Sequence, residues 1–228
     1  MALDDFDFND NEESKPTNDI ITINRDCIAD KIRHKKLLKM FYVGYHDSIE
    51  LNNRISDKLY GGLTKELLSE LASLSKMFGY KYPITAKETL CNVIKFLCKI
   101  DNNADLNWLD VSNLIDMSNL FKNYAPNFNG DISEWDVSSV RTMEGMFRDC
   151  RFNGDLSKWD VSKVSNMFSM FAESFFNNDS IKNWNVSNVL NMGYMFEYNT
   201  QFNQDISEWD VSGVNNFNCM FRDAHSFN

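Results

Sequence analysis

Residues 128–147 read FNGDISEWDVSSVRTMEGMF, and residues 152–171 read FNGDLSKWDVSKVSNMFSMF, nearly the same line again. Two looser versions follow and one precedes, so the period has to be found before any single element. Tryptophan marks it: Trp108, Trp135, Trp159, Trp184 and Trp209 lie 27, 24, 25 and 25 residues apart. Behind each comes a valine (Val111, Val137, Val161, Val186, Val211), then a serine (Ser112, Ser138, Ser162, Ser187, Ser212), then Leu114, Val140, Val164, Val189 or Val214. Met117, Met143, Met167, Met192 and Phe217 follow, then Leu120, Met146, Met170, Met195 and Met220, then Phe121, Phe147, Phe171, Phe196 and Phe221. Burying one such side chain is worth roughly 1.5–3 kcal/mol. One copy is too short to hide its own, so the copies must stack and share a core.

Within a copy, Ile132-x-x-Trp135-x-Val137-x-x-Val140 has the spacing of leucine-rich repeats. That spacing predicts a short strand lining one side of a solenoid, with the tryptophan inward. The following serine is placed to cap a helix through its hydroxyl. Val140, Met143, Met146 and Phe147 then predict a two-turn helix facing inward. FNGD or FNQD supplies residues that tolerate a tight return. The expected fold class is thus an α/β repeat solenoid, leucine-rich-repeat-like, of short parallel strands and short helices. It occupies 105–228 as four complete repeats and a partial fifth, preceded by a small all-α domain.

That helical domain is expected over 21–104, where the apolar period becomes that of helices. Leu67, Leu68, Leu71, Leu74 and Phe78 form one stripe stopped by Gly79. Thr85 and Glu88 stand at capping-box spacing after Pro83, ahead of a stripe of Leu90, Val93, Ile94 and Leu97. A third helix is predicted over Asp26–Tyr42 and a fourth through residues 48–60. Residues 1–20, with seven acidic groups and one lysine, are expected to be an acidic mobile tail, since they hold little that a core would take up. Phe6 and Phe8 in it are at most a short docking motif.

The net charge of −10 is divided unevenly: residues 21–100 hold 14 basic and 8 acidic groups, residues 101–228 hold 8 and 18. Lys31, Arg33, Lys35, Lys36 and Lys39 cluster in KIRHKKLLK without interleaved aromatics, which favours a solvated face or an acidic neighbour over nucleic acid. No run of apolar residues is long enough for a membrane span. The N-terminus has neither the basic start nor the apolar stretch of a signal peptide, so a cytoplasmic or virus-associated location is favoured over secretion. Five cysteines in no C-x-x-C pair argue against a zinc site or a disulfide framework. Cys91 and Cys98 read as two small buried side chains on one helix face.

No catalytic residues, metal ligands or cofactor are expected. His34, His46 and His225 are too scattered for a triad, and no phosphate-binding or nucleophile motif occurs. The aspartate column (Asp131, Asp155, Asp179, Asp205) and the asparagines before it (Asn129, Asn153, Asn177, Asn203) admit two readings, calcium ligation or side-chain bonds to turn backbone, and the second is favoured. The candidate binding residues flank each inward tryptophan, where strand alternation points them outward: Glu134 and Asp136, Lys158 and Asp160, Asn183 and Asn185, Glu208 and Asp210. They make a polar, mostly acidic face that suits a basic protein partner.

Trp-Asp-Val-Ser, Met-Phe and Phe-Asn-x-Asp recurring in this order resemble the BspA-like leucine-rich-repeat surface protein family, whose repeats of similar length also occur in mycoplasma lipoproteins. The resemblance covers about 105–228, leaves 1–104 outside, and extends to repeats of some large viral genomes. It implies surface display, adhesion and protein binding, with no catalytic activity. This chain departs from the family's lipoproteins in having its first cysteine at Cys27. The expected function is therefore non-enzymatic protein–protein interaction through the repeats, with self-association through an open C-terminal end as a further expectation. The alternatives are a structural component of a larger assembly, such as a virus particle or a cell-surface layer, and calcium-dependent adhesion.

Overall fold

The computed structural model describes residues 29–37, 39 and 65–228. The acidic tail, the fourth helix and the ends of the third lie outside the described residues, as do Cys27 and His46. Residues 29–37 are helical. They are followed by α1 (Lys65–Phe78), β1 (Tyr82–Pro83), α2 (Lys87–Ile100), β2 (Leu109–Asp110), α3 (Leu120–Tyr124) and a 3₁₀ turn at Asp179–Ile181.

Both long helices follow from their apolar spacing. In α1, Leu68, Leu71 and Leu74 are buried and Leu67 and Phe78 pack at the margin. The helix stops at Gly79, whose φ of 70° places it in the left-handed region, where glycine pays no Cβ penalty. In α2, Leu90, Val93, Ile94 and Leu97 are fully buried. The capping box does not form: α2 begins one residue after Ala86, which offers no side-chain cap. Thr85 sits a residue too early for its hydroxyl to reach the first turn.

β1 pairs in parallel with β2, Tyr82 with Leu109 and Pro83 with Asp110. This joins the helical segment to the first repeat, and one core runs without interruption from Leu37 across residue 104 to Met220. Lys87 at the start of α2 fastens the same junction, with Nζ 2.9 Å from Asp116 Oδ2 and 2.5 Å from Ser118 Oγ.

From Trp108 onward the copies stack in register. Asp116, Thr142, Asn166, Asn191 and Asn216 bridge in parallel, each to the next. At the third junction the amides of Met167, Ser169, Phe171 and Glu173 donate to the carbonyls of Asn191, Gly193, Met195 and Glu197 at 2.7–2.9 Å. At the fourth, Met192, Tyr194, Phe196 and Tyr198 repeat this onto Asn216, Asn218, Met220 and Arg222. All five tryptophans are buried, as are the valines through Val186, the methionines and Phe121 through Phe196. Each of Trp135, Trp159, Trp184 and Trp209 donates its indole N–H to a carbonyl one copy back: Leu106, Ile132, Leu156 and Ile181, at 2.9–3.2 Å.

Two stacks of phenylalanine form the spine. Phe121, Phe147, Phe171, Phe196 and Phe221 follow one another at 5.1–5.7 Å with planes within 9°. Phe128, Phe152, Phe176, Phe202 and Phe227 lie beside them, each 3.8–4.7 Å from its neighbour in the first stack.

Local structure departs from the expectation of one strand and one helix per copy. The Trp-x-Val segment is a pair of tight turns, closed by Trp135 N–H to Ile132 O and Val140 N–H to Val137 O. The segment from Met143 to Phe147 is a chain of turns rather than a helix, with α3 the one α-helix among the described repeats. The reason is the competition for its amides. A helix would turn every N–H along its own axis, whereas here alternate N–H groups point to the next copy. Left-handed residues make the alternation possible, Asn119 in the first copy and two in each later one: Gly145 and Asp149, Ser169 and Glu173, Tyr194 and Tyr198, Cys219 and Asp223.

Candidate functional site

The eight residues flanking the tryptophans, Glu134 and Asp136, Lys158 and Asp160, Asn183 and Asn185, Glu208 and Asp210, are all exposed, in successive copies along one flank. They stand on the tight turns rather than on strands. Four also hold those turns together. Oδ1 of Asp136, Asp160, Asn185 and Asp210 accepts the amide of Ser138, Ser162, Ser187 and Ser212 at 3.0–3.2 Å. The acceptor at the turn is therefore the aspartate or asparagine, and the serine expected to cap supplies the N–H. Bonds from the serine side chain and backbone hold Asp136, Asp160 and Asp210 below the usual carboxylate range, so all three are charged near neutrality.

The remaining four differ in availability. Lys158 pairs with Glu134, and Lys81 from the helical segment donates to the Glu134 carbonyl at 3.0 Å. The basic member of the row is thus engaged with its neighbour, and the outward charge of the flank is that of Asp136, Asp160, Glu208 and Asp210.

The aspartate column does comparable work at the other turn. Oδ1 of Asp131, Asp155 and Asp205 accepts the amide of Ser133, Ser157 and Ser207 at 2.8–3.0 Å. In the fourth copy Asn178 replaces the aspartate as acceptor, toward Ser180, and Asp179 only opens the 3₁₀ turn. The asparagines form a ladder between copies: Oδ1 of Asn129, Asn153, Asn177 and Asn203 accepts the amide of Asn153, Asn177, Asn203 and Asn228 at 2.8–3.2 Å. Sequence reasoning had assigned these letters to turns within a copy and missed the ladder. The phenylalanine opening every FNGD was equally visible as a recurring letter, and is the second stack of the core.

On the 29–39 segment, Lys31, Arg33, Lys36 and Lys39 are exposed. Arg33 pairs with Glu70 of α1 and Lys31 lies 5.6 Å from the Tyr80 ring centre. The cluster thus points in several directions. Cys91 and Cys150 are buried, Cys98 is half-buried, and all are free thiols. Burial pushes Cys98 up to about 12 and Cys150 to about 11, so neither is a thiolate nucleophile at neutral pH. Among the described residues no three His, Cys, Asp or Glu side chains are grouped to hold a metal ion, and no helix is long and apolar enough to cross a membrane.

The repeats are matched by the family model described as "Mycoplasma protein of unknown function, DUF285", over residues 90–180 and 172–228. Together these stretches span more than half of the 228 residues. The chain belongs to this family. The family match begins inside α2, so the last helix before the repeats is part of the family pattern. No curated protein and no solved structure matches the chain.

Proposed function

We propose that this chain is a non-enzymatic protein-binding module: a leucine-rich-repeat-like solenoid of the BspA-like kind, set on a small helical domain, that engages a partner through the polar flank of its repeats. The observation that carries this reading is the periodic row around the buried tryptophans. In four successive copies the flanking residues are exposed and aligned, while the core takes none of them. With Lys158 turned to Glu134, the row is acidic, and charge complementarity across an interface speeds and orients encounter. It fits a basic protein surface.

The test uses a replacement that the protein itself supplies. Asn185 fills the turn-acceptor position that aspartate fills in the other copies, and keeps the same bond to Ser187. The variant carrying Asp136→Asn, Asp160→Asn and Asp210→Asn therefore removes three charges and retains three turns. Affinity capture with wild-type and variant chains of equal melting temperature is expected to retain a specific basic partner on the wild type and lose it on the variant. Identical captured sets would refute the flank as the binding surface.

A further inference from the structure

Charge is divided by segment in this chain: residues 21–100 hold 14 basic and 8 acidic groups, residues 101–228 hold 8 and 18. Part of each excess is neutralised internally, where Arg33 meets Glu70, Lys87 meets Asp116, Arg148 meets Glu173 and Lys158 meets Glu134. The 29–39 segment turns a different set outward. Ile32, Lys36 and Lys39 are exposed, and their spacings of four and three residues place them on one helix face. His34 and Leu37, on the opposite face, are buried. Ile32 is 51% exposed, an apolar side chain standing among lysines.

We infer that this basic helix face docks on the acidic flank of a second copy of the chain. Sign and step both argue for that occupant. The outward charge of the flank is carboxylate, with Asp136 and Asp160 in its middle copies, exposed. The flank repeats once per copy, and the copies step by 5.1–5.7 Å along the first phenylalanine stack. Side chains three or four residues apart on a helix stand about 5–6 Å apart. A helix laid along the stack therefore sets Lys36 and Lys39 against Asp136 and Asp160 in one register and covers Ile32. An apolar residue inside a charged rim is the usual make-up of a protein interface. The contact joins two unlike surfaces, so every copy carries both halves of it. This inference rests on the flank being a binding surface, and it names the basic partner.

Sedimentation velocity of the full chain tests it at about 0.01 M and about 0.15 M salt, between which the screening length falls from about 30 Å to about 8 Å. The wild type is expected to associate at the lower salt, and about tenfold more weakly at the higher. Lys36→Glu with Lys39→Glu, and separately Asp136→Asn with Asp160→Asn, should each weaken association by about tenfold or more. Mixing the two variants should restore it as a one-to-one complex, because the first keeps the flank and the second keeps the helix face. General attraction does not account for such restoration: starting from a net charge of −10, both variants remain negative and repel. A wild type that stays monomeric at low salt overturns the proposal, and that measurement holds whether or not the variants fold. So does a mixture of variants with wild-type melting temperatures that fails to associate. The two readings fail separately. A monomeric wild type whose flank still captures another basic partner sinks this inference alone, whereas self-association that survives the aspartate substitutions removes the flank from it.

Discussion

The indole N–H of tryptophan bonds a carbonyl in the preceding copy, so each tryptophan both fills its own rung and fastens it to the last. Trp159→Phe keeps most of the apolar area and removes only the donor to Ile132 O. The expected cost is about 1–3 kcal/mol, the penalty for a buried polar partner left unpaired; Trp159→Ala should cost about 3–5 kcal/mol. Urea denaturation of the two variants checks both values and their order. The turn aspartates carry a pH dependence. Asp131, Asp136 and Asp160 are held below the ordinary carboxylate value of 3.8. A depressed carboxylate contributes stability that is present above 3.8 and lost as pH falls through the lower folded value. Thermal melts should therefore lose temperature below about pH 4, and Asp136→Asn with Asp160→Asn should flatten that acid limb.

Among the elements, the 29–37 helix packs through a buried histidine. His34 is buried between the rings of Phe78 and Tyr80, at 6.3 and 6.0 Å. Burial holds its pKa below the ordinary 6.5, opposed in part by the nearby Tyr80 backbone. The sign follows: neutral His34 is the folded form, so this contribution is present above 6.5 and lost as pH falls toward the lower folded value. The protection factors of the amides of residues 29–37 should fall between about pH 7 and 5, and His34→Phe should abolish that change while leaving the repeats as they were. The repeat elements show the opposite balance. Tyr194 and Tyr198 hold φ of 61° and 54°, where a bulky side chain is strained by about 1–3 kcal/mol. The forward amide ladder, which needs those angles, offsets the strain.

At the scale of the whole molecule, stability is a sum over junctions, because each copy touches only its neighbours. Phe171 packs on Phe147, Phe176, Trp184 and Phe196 in three adjoining copies, whereas Phe227 stacks, among the described residues, on Phe202 and Phe221. Phe171→Ala should cost about 3–5 kcal/mol and quicken exchange on both sides of the third junction. Phe227→Ala should cost clearly less and act only on the end rung. Denaturant melts combined with residue-resolved exchange distinguish the two; equal losses would mean that the repeats unfold as one unit, without separable junctions.

The columns of tryptophan, valine, methionine and phenylalanine were written in the sequence, because large apolar side chains recurring at one period have nowhere to go but a shared interior. The exposed flank was legible for the same reason, as what lies beside an inward tryptophan. Only the tertiary structure decided how the backbone runs between those points. Glutamate at 173 and tyrosine at 194 and 198 occupy left-handed positions that local preference gives to glycine or asparagine, and the segment expected as a helix sends its amides outward. Bonds to a neighbouring copy lie some 25 residues away along the chain, and they outweigh the propensities on which any local reading depends.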